Sequence, residues 1–174
     1  IIHMYKKYGI EQTLQMLDGV FAFILLDFNT NQIFVARDTY GIRPLFFNVS
    51  EYYSNENGTL TTYAFASELK SIDVFDGDTC EIKQFEPGCC SVFTLNPVEN
   101  RQKIKYMKTF VFARPDGFSN LTDDTPYEKV LENVFSHLEQ AVIKRVDNTE
   151  RDIACLLSGG LDSSIICALV KKHH

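Results

Sequence analysis

Residues 153–164 read IACLLSGGLDSS, and the way this stretch changes character along its length sets the fold class. Its first residues, Ile153, Ala154, Cys155, Leu156 and Leu157, are apolar without alternation, the pattern of a strand buried on both faces of a parallel sheet. Ser158, Gly159 and Gly160 then allow a tight backbone turn. Asp162, Ser163 and Ser164 open a helix that continues through Ile165, Ile166, Ala168, Leu169 and Val170. A strand, a glycine turn and a helix start leave several backbone N–H groups and the positive end of a helix around one small space, which suits phosphate. The lysine of the G-x-x-x-x-G-K-[ST] loop is missing, so the site is not the common nucleotide P-loop.

SGGLDSS instead resembles the PP-loop of the N-type ATP pyrophosphatases, which cleave ATP between its α- and β-phosphates. The resemblance implies that the amides and hydroxyls of Ser158, Gly159, Gly160 and Ser163 hold pyrophosphate, that Asp162 faces Mg²⁺ by way of it, and that the backbone of Leu156 lies against the adenylate. The residue types fit that chemistry. A bulky anion wrapped by backbone excludes side chains at Gly159 and Gly160, and a carboxylate recruits a hard cation. The competing reading is a plain strand–turn–helix corner.

Working outward, residues 147–152 form a polar turn, and before them lies a helix with an apolar stripe of Val130, Val134, Leu138, Val142 and Val146. Thr125, Pro126 and Glu128 read as a capping box that starts this helix, and its stripe is expected to pack on the sheet begun by residues 153–157. Residues 114–124, RPDGFSNLTDD, are polar and turn-rich and read as a linker. Upstream, residues 1–17 are helical with a break at Gly9. Strands follow at 20–28, 32–37, 44–48, 60–66, 81–85, 89–95 and 104–110, with one helical turn at 67–72. A run of this kind builds an antiparallel sheet layer. The predicted organisation is therefore an α+β domain over 1–113, a linker over 114–124, and the start of a doubly wound α/β domain over 125–174.

Composition sets the boundaries of function. The chain has 174 residues, 45% of them apolar, enough for a packed core. Its 17 Lys and Arg against 23 Asp and Glu, a net charge of −6 with no basic run, argue against a nucleic-acid partner. The longest apolar stretch, residues 20–26, is too short for a bilayer. With no signal sequence, a soluble cytoplasmic protein is expected. The five cysteines, Cys80, Cys89, Cys90, Cys155 and Cys167, lack C-x-x-C spacing and read as reduced thiols. His3, His137, His173 and His174 have no ligand spacing, so a metal site built from histidine and cysteine is not expected.

The first block resembles the later part of the Ntn-type glutaminase domain of class II glutamine amidotransferases. The resemblance rests on LDGVFAF at 17–23, ARDTYGIRPL at 36–45, ASELKS at 66–71 and FEPG at 85–88. Followed by a PP-loop, this order resembles the glutamine-hydrolysing asparagine synthetase family of the B type. That resemblance implies an enzyme using glutamine, aspartate and MgATP: glutamine is hydrolysed in the first domain and ammonia passes inside the protein. The second domain makes β-aspartyl-AMP, which ammonia attacks to give asparagine, AMP and pyrophosphate. A homodimer is compatible with it.

The family's glutaminase nucleophile is an amino-terminal cysteine, to which no cysteine here corresponds. We therefore expect an internal stretch of a longer protein, inactive by itself, with no catalytic residue of the glutaminase within it. Arg37, Asp38 and Arg43 are read as a structural turn, an arginine tied to a carboxylate such as Asp38 or Glu68. By resemblance, Phe46 and Phe47 lie near the domain interface through which ammonia would pass, and an ordinary core strand explains the two phenylalanines equally well. The alternatives are a phosphoribosylpyrophosphate amidotransferase, which SGGLDSS does not fit, a β-lactam synthetase-like enzyme, and a degenerate non-catalytic homologue.

Overall fold

The computed structural model describes residues 1–54, 58–72, 79–98, 101–114, 122 and 124–174. The chain divides into two compact units, residues 1–118 and 119–174. Most of the expected linker, 114–124, lies outside the described residues.

The first unit contains α1 (Ile2–Met16), β1 (Ala22–Asp27), β2 (Gln32–Arg37), β3 (Phe46–Ser54), β4 (Gly58–Ala66), β5 (Thr79–Gln84), β6 (Cys89–Val98) and β7 (Arg101–Val111). Gly9, at φ 76° and ψ 174°, splits α1 into two helical pieces at the expected break. The strands form a four-stranded sheet in the order β1-β2-β6-β7 and a three-stranded sheet in the order β4-β3-β5, antiparallel throughout. This is the layered α+β arrangement that the strand-rich sequence predicts.

Strand β2 shows where the core sits. Alternation sends Ile33 and Val35 toward the second sheet, with Leu45, Phe85, Phe93 and Leu95. Phe34 and Ala36 point the other way, joining Leu14 of α1, Leu25, Cys90 and Val92. A strand covered on both faces buries every residue from Ile33 to Arg37. Burying each of the larger apolar side chains contributes about 1.5–3 kcal/mol. Between the sheets Phe93 meets Tyr63, Phe65 and Tyr106 edge-on, at centroid distances of 5.0, 5.9 and 5.6 Å. Phe47 packs there too, against Phe65 and Phe85, beside a cavity of about 370 Å³.

Two strands outrun their sequence pattern. β3 continues past Asn48 to Ser54 because its whole length is laddered to β4, from Phe46 opposite Ala66 to Ser54 opposite Gly58, and backbone pairing needs no apolar side chains. β6 runs past its expected end at residue 95, through Asn96 and Pro97, to Val98. β2 pairs with β6 only as far as Thr94, so on that side the proline nitrogen interrupts no ladder.

The second unit holds α2 (Tyr127–Val146) and α3 (Leu161–His173). Val142 and Val146 of the predicted stripe are buried with Leu169, and Leu138, Ile153 and Val170 flank them. Among the described residues the stripe packs on α3 and on Ile153 rather than on a formed sheet, and the upstream Val134 is left 58% exposed. The expected capping box is not formed. Pro126 occupies the cap position, and the Thr125 hydroxyl accepts instead from the Thr122 N–H at 3.0 Å. The helix begins one residue later than the pattern suggests, which takes Thr125 out of reach of it.

Candidate functional site

Residues 153–157 are not a strand in this structure. They make no ladder with any described segment, and Leu156 and Leu157 are 96% and 64% exposed. The physical reason is that a parallel strand draws both its hydrogen bonds and its burial from neighbouring strands, and the described residues of this unit contribute only helices. The turn that follows keeps the predicted form: Gly159 adopts φ +82°, and α3 starts at Leu161 with Gly160 as its cap.

The turn's hydroxyls are knitted together while most of its amides are not. Ser158 Oγ lies 3.0 Å from Ser163 Oγ, and the Ser163 and Ser164 hydroxyls donate to the Gly160 carbonyl at 3.1 and 2.7 Å. The Gly160 N–H makes a long 3.4 Å contact to Ser158 Oγ. Among the described residues, the N–H groups of Gly159, Leu161, Asp162 and Ser163 have no acceptor. Three of them are the unsatisfied first donors of α3, where the helix dipole adds positive potential. All but Ser163 of the residues 158–164 are exposed to solvent. The Ser164 contribution was not among the predicted site residues. The sequence does carry its signal, a serine in a helical first turn that bonds back to the carbonyl four residues earlier.

The two glycines differ in what demands them. At Gly159 the positive φ does, since a side chain is strained there wherever it points. At Gly160 nothing among the described residues does. Its φ is −80°, and an added Cβ meets only Ser158 Oγ at an ordinary 3.5 Å. An added Cβ at 160 would therefore project into open space beside the turn. Asp162, in the first turn of α3, is the turn's one carboxylate. The described residues contain no group of three or more His, Cys, Asp or Glu able to hold a metal. Since Mg²⁺ takes six oxygens, Asp162 fits that ion only as one ligand among phosphate oxygens and water.

The loop after β2 is built in the opposite sense. Asp38 is buried, its Oδ1 accepting from the N–H groups of Tyr40 and Ile42 at 3.2 and 3.0 Å and its Oδ2 from those of Phe21 and Arg43 at 3.3 and 3.0 Å. Burial pushes the carboxyl up, and the four N–H bonds outweigh it and hold it below the usual carboxylate range. Arg37, also buried, donates to the carbonyls of Arg43, Phe85 and Gly41 at 2.7, 2.6 and 2.6 Å. With its amide oxygen turned toward the guanidinium, Gln84 accepts from Arg37 at 3.0 and 3.2 Å. The structural reading of this loop is right but the expected partners are not. Arg37 binds neutral oxygens, Asp38 binds backbone N–H, and Glu68 pairs with Lys70 at 2.7 Å. A guanidinium whose five donors are used in this way has none left for a substrate.

The cysteines of the first unit offer no nucleophile. Cys89 and Cys90 are buried and their thiols pushed up by that burial, Cys90 to about 12. Cys80 is exposed and donates to the Asn48 Oδ1 at 3.5 Å. No helix among the described residues is long and apolar enough to cross a membrane.

Comparison with known proteins adds to this geometry. Residues 1–109 match the family model of the glutamine amidotransferase domain, and residues 133–174 match that of asparagine synthase. The chain is 40% identical over 178 aligned residues to the glutamine-hydrolysing asparagine synthetase of Cricetulus griseus. Identity is 39% to that of Homo sapiens and 38% to that of Gallus gallus. Each alignment takes in 99% of this chain and 31% of the relative, so the chain spans about a third of the length of the curated relatives it matches.

Proposed function

Because the chain belongs to the glutamine amidotransferase domain family, whose model covers residues 1–109, we propose that it works within an enzyme that converts aspartate to asparagine, using ATP and taking nitrogen from glutamine. On this reading residues 1–113 belong to the glutaminase domain, 114–124 join the domains, and 125–174 begin the ATP-using domain. The part played by this chain's own residues is to hold the leaving diphosphate. Aspartate's carboxylate is a poor electrophile, and its mixed anhydride with AMP is a good one. Forming that anhydride expels pyrophosphate, whose charge must be met by donors already in place.

The four N–H groups of Gly159, Leu161, Asp162 and Ser163, which find no acceptor among the described residues, carry this proposal. They lie beside a glycine at 160 that the fold does not require. The Ser158 hydroxyl, and that of Ser163 once it leaves the Gly160 carbonyl, would add donors, Asp162 would help to hold Mg²⁺, and the Leu156 backbone would face the adenylate. When bound, Mg²⁺ neutralises charge developing on the diphosphate.

The test uses a protein of the relatives' full length carrying these residues. It should form asparagine from aspartate, ATP and glutamine with AMP and pyrophosphate as co-products, and Gly160→Val should abolish pyrophosphate release while leaving glutamine hydrolysis measurable. Release of ADP and phosphate, or unchanged synthesis in Gly160→Val, counts against it.

A further inference from the structure

Three donors converge on one oxygen at the start of α3. The Gly160 carbonyl accepts from the Ser164 hydroxyl at 2.7 Å, from the Ser163 hydroxyl at 3.1 Å and from the Ser164 N–H at 3.2 Å. A carbonyl oxygen has two lone pairs, so one of the three donors is surplus. The surplus one is Ser163. The Ser164 N–H is fixed there by the first turn of the helix, and the Ser164 hydroxyl makes the shortest of the three contacts.

What Ser163 gives to that carbonyl it cannot give to a ligand. A hydroxyl owns a single proton, and with the Ser163 proton on Gly160 the 3.0 Å contact between the Ser158 and Ser163 hydroxyls has Ser158 as its donor. The Gly160 N–H closes the circuit with its long 3.4 Å contact to Ser158 Oγ. Both hydroxyls read as ligands of the diphosphate therefore have their protons committed inside the turn. A ligand that claims them has first to take Ser163 off the Gly160 carbonyl.

We propose that Ser164 is a positioning residue for the diphosphate: by holding the Gly160 carbonyl with its own hydroxyl, it frees that of Ser163, and through it that of Ser158, to turn to the ligand. This rests on the phosphate reading of the turn. Ser164 acts through Ser163 rather than by contact, because its own proton is given back to the carbonyl four residues earlier. With alanine at 164, the carbonyl keeps only the 3.2 Å N–H bond once Ser163 departs. The departure then costs a hydrogen bond that the serine would have supplied.

The experiment takes a protein of the relatives' full length carrying these residues and titrates Mg²⁺-pyrophosphate calorimetrically into the parent, Ser163→Ala, Ser164→Ala, Ser164→Thr and the variant with alanine at both positions. Ser164→Ala should weaken binding about three- to tenfold, the worth of one neutral hydrogen bond, and Ser164→Thr, which keeps the hydroxyl, should bind within about twofold of the parent. In the Ser163→Ala background the alanine at 164 should change nothing, since no hydroxyl remains to be released. Equal losses in both backgrounds would mean that Ser164 serves the helix alone, and they overturn the proposal. Parent-strength binding by Ser164→Ala overturns it as well, and in either case weakened binding by Ser163→Ala leaves the phosphate reading standing. Alanine is the better helix former, so Ser164→Ala should melt no lower than the parent, and a loss of binding accompanied by a lower melt also counts against the proposal. A parent that binds no pyrophosphate overturns the phosphate reading and this role together.

Discussion

The loop at residues 37–44 and the turn at residues 158–164 are of similar size, and their polar groups are wired in opposite ways. The first, rich in charge, looks like chemistry; both charged groups buried in it are spent inside the protein, Asp38 on four backbone N–H groups and Arg37 on three carbonyls and the Gln84 amide oxygen. The second, made mostly of glycine and serine, looks bland and leaves four N–H groups open to whatever arrives. A buried polar group without a partner costs folding energy, so satisfied groups mark structure. Donors left open at a solvent-facing helix start mark a place where a ligand can complete them.

That contrast breaks first if Asp38 can be removed without damage. Asp38→Ala orphans four N–H groups that a buried carboxylate now satisfies, and we expect a loss of about 3–5 kcal/mol, a large part of a domain's total stability. Chemical denaturation of the first unit, followed by tyrosine fluorescence, measures it. An effect below about 1 kcal/mol would mean the loop is not organised by this carboxylate.

The glycines sharpen the contrast with smaller effects. At Gly88, φ is +65° and an added Cβ would lie 2.1 Å from the Ala113 carbonyl oxygen, so Gly88→Ala should cost about 2–4 kcal/mol. Gly160→Ala should leave stability within about 0.5 kcal/mol of the parent. It should nonetheless weaken Mg²⁺-pyrophosphate binding by roughly tenfold, about 1.4 kcal/mol, because the methyl group stands where a phosphate must approach the backbone. Calorimetric titration beside a thermal melt separates the two effects; a destabilised Gly160→Ala with intact binding would reverse the assignment.

The same contrast explains what could be read from the sequence. Alternation and turn residues place β2 at residues 32–37, and Gly9 as the break in α1, because both depend on local chemistry. The apolar run of residues 153–157 says equally plainly that it belongs inside a sheet, yet it lies exposed here, since a parallel strand is made by neighbours distant in sequence. At the site, Gly159 and the start of α3 were legible from the motif. The indifference of the fold to a side chain at 160 was not, because it needs the backbone angle and the distance to Ser158. The Arg37 partners were misjudged for a related reason: sequence suggests pairing of opposite charges, but a guanidinium buried between two sheets meets carbonyls first.

Acid titration gives the smallest effect and separates buried from surface wiring. Glu139 of α2 accepts from Lys172 Nζ at 2.6 Å and His173 Nε2 at 2.9 Å on α3, and these bonds, Lys172 first, hold its carboxyl below the usual range. Asp38 is likewise held low. A carboxylate whose folded value is depressed contributes stability that is fully present above its unfolded value and is lost as the pH falls through the folded one. Both units should therefore weaken below about pH 4, with no comparable loss between pH 5 and 7 from these groups. Salt distinguishes them. The Lys172 ammonium is 59% exposed, so about 1 M NaCl should erase most of the Glu139 contribution, and Glu139→Gln should lower the melting temperature only at low salt. Asp38 is sealed among backbone donors, and the cost of Asp38→Ala should be the same at either ionic strength. If salt erased that cost too, the carboxylate would be acting through long-range charge rather than through the four N–H bonds it accepts.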